Sequence, residues 1–345
     1  MTPLRAGAKV SWLLLIALGC AEAVCFLPQN SYQRWQLLDG TIHARARWIY
    51  ERTHFDPTPI DVVLVGPSRT SQGVSAPRLE ADLASLGVHA HVANFSLPET
   101  GRNINYAAIR EMYSVKRPQL IVMGVLEKPS RFGHAAFKYL APASEIVLPG
   151  YFSDLNYFSD LVYLPYRQME LFLADVDPPL MGLSKQFDPR SYRGTDLDTT
   201  GDIVLPGGAI KNGHDPASAA ELARGVRKYL RGDHPPFLPR SLADLEFGDE
   251  RHYVRAIAAL AQAHGARVAF LALPYYGGPP SLQEASLYRR YGPIWNAGFV
   301  ADHADWYADY AHLTRAGADH VTDWLAPKIA AALGTQAAQR SGNRS

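Results

Sequence analysis

Cysteine is almost absent: Cys20 and Cys25 are the only two in 345 residues, and both lie in an apolar stretch near the N-terminus. Everything after residue 25 therefore has no disulfide, no thiolate nucleophile and no cysteine-based zinc site. That composition suits an oxidising or a reducing compartment alike. Charge of one sign is equally scarce. The formal net charge is +1 and no lysine–arginine run occurs, which speaks against nucleic acid as a partner. The 12 histidines, His43 and His134 among them, form no ligand spacing of a metal site, so neither a metal nor a cofactor is expected. Internal repeats and low-complexity blocks are missing too. Apolar residues are plentiful: 47% hydrophobic against 19% charged, enough for a sizeable core. The length suits one large domain, or one domain with an insertion.

One long apolar run exists, Val10 to Leu27, broken only by Ser11 and Glu22 and preceded by Arg5 and Lys9. At 1.5 Å per residue it spans about 27 Å, just enough for a bilayer core. The preceding positive charges favour a cytoplasmic N-terminus. An uncleaved transmembrane signal-anchor over residues 1–28 is the leading reading; a signal peptide cleaved after Ala23 and a buried helix are the alternatives. Both leading readings export the rest of the chain. Residues 29–59 are rich in Arg, Trp and Tyr. They read as a juxtamembrane helical connector or, equally, as an ordinary helix packed on the domain.

From residue 60 the pattern is that of an α/β domain, 60–334. Asp61–Gly66, Val88–Ala93 and Pro118–Gly124 read as buried strands. Residues 76–86 and 103–113 between them read as helices. That alternation implies a doubly wound parallel sheet. Residues of about 129–245 break the pattern with Tyr, Phe, Pro and Gly, and read as a long insertion with helices over 157–174 and 217–231. Its aromatics, including Tyr151, Phe152, Tyr157, Phe158, Tyr163 and Tyr166, suit sugar stacking or plain packing. A helix over 250–263, a strand over 268–273 and a helix from Thr314 to about Leu333 complete the domain. Residues 335–345 read as a flexible tail.

Two short segments carry possible chemistry. Gly66-Pro-Ser68-Arg-Thr70 follows the first strand, on the face where open α/β sheets place their sites. Asp309-Tyr-Ala-His312-Leu-Thr-Arg-Ala-Gly317 precedes the last helix. A serine needs a base for its proton, and that base needs a carboxylate to fix its tautomer. Thr314 is placed to cap the following helix. Asp302 and Asp305 are alternatives for the carboxylate.

In order and position, these two blocks resemble the SGNH (GDSL-like) hydrolase superfamily. The resemblance implies a flavodoxin-like fold, with Ser68 as nucleophile, His312 as base and Asp309 as orienting acid. It also implies an oxyanion donor after the second strand, at Ser96 or Gly101. The asparagine usual after the third strand is missing: the sequence there is Gly124-Val-Leu126-Glu127. Arg69, Arg102, Asn103 and Lys128 are candidates to replace it, while Glu127 could instead pair with Arg69. The Gly-x-Ser-Arg motif, the eroded third block and the N-terminal anchor look like the envelope branch that works in alginate O-acetylation and teichoic-acid D-alanylation. That likeness implies an extracytoplasmic acyltransferase or esterase on the inner membrane. Its expected partners are an envelope polysaccharide and a membrane-bound O-acyltransferase. A non-catalytic assembly or binding protein is the competing class.

Overall fold

The computed structural model describes Trp12, Gly19 and residues 23–25, 27–148, 154–205, 209–232 and 234–342, with side chains to residue 334. Residues 10–27, which carry the signal-anchor reading, lie mostly outside the described residues, and Tyr151 and Phe152 lie wholly outside them. No helix among the described residues is long and apolar enough to cross a membrane.

Five strands form one parallel sheet: β1 (Val62–Val65), β2 (Val92–Asn94), β3 (Leu120–Val125), β6 (Arg267–Ala272) and β7 (Ile294–Asn296), in the order β2-β1-β3-β6-β7. Branched apolar side chains on consecutive positions let the central strands bury both faces. Val63 and Val65 enter one core and Val62 and Leu64 the other. The first core takes α1 (Ser31–Gln36), α2 (Arg45–His54), α5 (Arg102–Tyr113) and α8 (Gly248–Ala263). The second takes α4 (Ala76–Ser85) and α9 (Arg315–Gly342). This is the doubly wound arrangement expected from the alternating pattern.

The segment read as a connector packs on this domain. Trp35, Trp48 and Ile49 are buried against the sheet. Arg52 is fully buried and donates to the carbonyls of Thr58 and Pro59, both at 2.7 Å. Backbone carbonyls for Arg52, and the carboxylates of Glu111 and Glu51 for Arg34 and Arg47, explain how so basic a stretch enters a core. Both helices of this segment, α1 and α2, are thus packed on the domain.

The insertion supplies α6 (Tyr157–Val176), an antiparallel hairpin of β4 (Asp202–Val204) and β5 (Ile210–Asn212), and α7 (Ala219–Arg231). Ser218 and Glu221 start α7 by satisfying each other's backbone N–H groups. The insertion also grips both site-bearing segments. Thr199 Oγ1 donates to the Ser71 carbonyl and Gln72 Nε2 to the Asp202 carbonyl, which holds the helix after β1. Ala217 donates its N–H to the Tyr307 carbonyl, and Arg315 its N–H to the Gly213 carbonyl, which holds the loop before α9.

Candidate active site

The strands are parallel, so the carboxyl ends of β1, β3 and β6 open on one edge, beside the point where strand order reverses. A six-residue helix, α3 (Ser68–Gly73), starts there with Pro67 as its N-cap. Its seat is cut to size by glycine. A Cβ on Gly66 would lie 2.5 Å from Thr70 Oγ1, and one on Gly124 only 1.7 Å from the same atom. Ser68 is the first residue of the helix, so its hydroxyl caps nothing and points outward.

That hydroxyl meets the loop before α9. Ser68 Oγ lies 2.7 Å from His312 Nε2, and His312 Nδ1 lies 2.9 and 2.8 Å from the two oxygens of Asp309. Burial pushes the Asp309 carboxyl up. The hydrogen bond to His312, the imidazole's charge and the N–H groups of Ala311 and His312 more than offset this and hold it at about 2. An ionised carboxylate only accepts, so Nδ1 carries the ring proton and Nε2 offers its lone pair to the serine O–H. The two N–H groups donate to Asp309 Oδ1 at 2.8 and 2.9 Å and fix the carboxylate in plane. Thr314 Oγ1 accepts the Gly317 N–H at 3.1 Å, the cap expected from the sequence. Gly317 is close against Trp306, whose carbonyl would sit 2.5 Å from an added Cβ. Asp302 and Asp305 are exposed and take no part in this chain of bonds.

The remaining sequence candidates separate cleanly. Ser96 is fully buried, its N–H is donated to Asn94 Oδ1 at 3.2 Å, and its hydroxyl faces no substrate-accessible space. Asn103 is also buried. Its oxygen accepts the N–H groups of Ile104 and His134, and its nitrogen donates to Asp154. Arg102 is locked to Glu250, Asn105 and the Gly124 carbonyl. Asn103 and Arg102 have their polar side-chain atoms committed to protein partners and act as structural residues, while Ser96 has its N–H taken by Asn94 and its buried hydroxyl without a partner among the described residues. Arg69 lies behind the site: Nη1 donates to both oxygens of Glu127 at 2.8 and 2.9 Å and to the Leu273 carbonyl, with the rings of Tyr229 and Tyr275 each 5.5 Å from its Cζ. Burial works against the Arg69 charge and Glu127 more than restores it.

Gly101 opens onto a recess beside Pro67, the residue before Ser68. Thr100, Leu126 and Lys128 line the same small recess, and the Gly101 N–H has no hydrogen-bond partner among the described residues. At φ +136° it adopts a conformation open to glycine, and a Cβ there would strike the His134 backbone nitrogen at 2.1 Å. The loop is propped from below. His134 Nδ1 accepts the Ala136 N–H, so its Nε2 carries the proton donated to the Pro98 carbonyl at 2.6 Å. His43 and Glu99 stand beside it, 3.5 Å apart. The sequence shows no spacing linking these three, yet the fold gathers them. With both His134 nitrogens committed to the backbone, the cluster serves as a strut.

Lys211, on β5, escaped sequence reasoning. Its Nζ donates to the Ala308 carbonyl at 2.7 Å and lies 3.8 Å from Asp309 Oδ2. Nothing in the irregular insertion marks this lysine as close to a residue almost a hundred positions away. The chain matches no protein-family model, and no curated protein sequence matches it significantly.

Proposed function

We propose that this chain is an extracytoplasmic serine O-acyltransferase of the SGNH type that modifies an envelope polysaccharide. The observation that carries the reading is the unbroken relay Ser68–His312–Asp309, at 2.7 and 2.8 Å. Ser68 Oγ attacks the acyl carbon of an ester while His312 Nε2 takes the hydroxyl proton. The oxyanion forms towards the N–H groups of Ser68 and Gly101. The ester C–O bond then breaks, His312 protonates the departing alkoxide, and the acyl group stays on Ser68. An acceptor sugar hydroxyl repeats the sequence in reverse: it loses its proton to His312, bonds to the acyl carbon and expels Ser68, which regains the proton. Leu126 stands where related sites place an asparagine donor, so this oxyanion site works with backbone groups. The flavodoxin-like strand order and the apolar run at 10–27 support membership of the membrane-anchored envelope branch, which acts beside a membrane-bound O-acyltransferase.

Hydrolysis is the second reading, favoured by the partial exposure of Ser68 and His312, which gives water access. Incubation with an activated acyl ester and an oligosaccharide acceptor separates the two. Acylated sugar is expected, absent in Ser68→Ala. Free acid alone establishes an esterase, and neither product with any donor points to a binding protein.

A further inference from the structure

Beside the relay lies a cleft of about 950 Å³, between the loop after β3, α7 and the segment 234–247. Its inner end is shared with the recess at Pro67, because Thr100 and Leu126 line both. Tyr310, between Asp309 and His312 in the sequence, forms part of the same wall. The cleft thus adjoins both the loop that carries Asp309 and His312 and the recess at Pro67, the residue before Ser68. Its surface is apolar and open: Phe132, Leu155, Phe237 and Leu245 are 53%, 53%, 70% and 46% exposed. Large apolar side chains left uncovered together mark a binding surface.

The outer wall is built to hold its shape. Glu246 accepts the N–H groups of Phe237 and Leu238, both at 2.9 Å, and pairs with Arg131 at 2.7 Å. The Arg131 guanidinium in turn covers the rings of Phe237 and Phe247, 4.4 and 5.3 Å from their centroids. An acetyl or alanyl group would leave almost all of this volume unused.

We infer that the cleft takes the hydrocarbon chain of the acyl donor, and that the group transferred is a medium or long fatty acyl group. This rests on the acyl-enzyme reading above and names its substrate class. Each fully buried methylene favours binding by about fourfold at room temperature. An open cleft that covers half of each gives about twofold, so six extra methylenes raise kcat/KM by roughly 60-fold.

The test compares 4-nitrophenyl acetate, octanoate and dodecanoate with the full chain. The expected result is an octanoate-to-acetate ratio of roughly 60 in kcat/KM, falling at least fivefold in Phe237→Glu and Leu245→Glu. Leu180→Glu, in the short helix Pro178–Met181 outside the cleft lining and 66% exposed, keeps the ratio. Equal rates on all three esters, with Ser68 still labelled by a fluorophosphonate, overturn the cleft assignment and leave the acyl-enzyme reading standing. A chain-length preference untouched by both cleft variants also overturns it. No hydrolysis and no labelling overturn both.

Discussion

Lys211 and Asp309 show how the chemistry of one residue depends on a neighbour from a distant segment. The lysine is part exposed, so solvent screening reduces its attraction for Asp309 to about 1 kcal/mol. Its hydrogen bond to the Ala308 carbonyl contributes a similar amount to holding the loop. Lys211→Met is therefore expected to lower kcat/KM by about 5–30-fold, with Lys211→Arg recovering most of it. Equal activity in wild type and Lys211→Met removes the positioning role. Asp309 itself matters more: Asp309→Asn leaves the imidazole without the partner that selects its tautomer, and kcat is expected to fall by about 10⁴. Steady-state kinetics on an activated ester checks both.

At the scale of elements, the loop from Pro98 to Gly101 has the narrowest tolerance. Glu99 holds φ at +69° and Gly101 at +136°, and the His134 backbone fills the space where a Gly101 side chain would begin. Gly101→Ala is expected to displace the loop, reducing kcat by 100-fold or more while the fold persists, since a donor to the oxyanion moves away. Retained kcat with an unaltered circular dichroism spectrum contradicts that role. The elements also differ in how well the sequence announces them. Val62–Val65, Leu120–Val125 and Arg267–Ala272 were legible because central parallel strands are continuous apolar runs. β7 was not, being three half-buried residues at a sheet edge, and neither was the β4–β5 hairpin, whose short strands are mostly exposed. α9 runs to Gly342, past the end expected at about Leu333, because a single Gly334 is tolerated inside a helix. Ser68, Asp309 and His312 could be read because serine, carboxylate and imidazole sit at fixed offsets from strand and helix ends. Lys211 and the cleft could not, since irregular segments bring them there.

Across the whole molecule, stability is tied to pH through the buried strut. Burial, and then the neighbouring His43, push the His134 imidazole down to about 4; the Pro98 carbonyl and Glu99 pull the other way. In the unfolded chain the same group titrates near 6.5. Above pH 6.5 both states hold it neutral. Between 6.5 and about 4 the unfolded state binds more protons, so the native state loses on the order of 3 kcal/mol as the medium is acidified, and the loss levels off below 4. Asp160, whose carboxyl burial raises to about 7, acts in the opposite sense over the same range, so the strut is read from the difference: in urea unfolding from pH 7 to pH 4 the wild type is expected to lose about 3 kcal/mol relative to His134→Gln. An unchanged slope in the variant assigns the pH dependence elsewhere.

In the proposed function Ser68 becomes a nucleophile because the fold brings the distant His312 imidazole to it. Fluorophosphonate labelling of the purified chain, with the modified peptide mapped by mass spectrometry, tests this most directly. The expected result is one adduct, on Ser68, lost in Ser68→Ala and slowed by at least 100-fold in His312→Ala. Labelling of Ser68 at the same rate without His312, or no labelling of the folded wild-type protein, contradicts it.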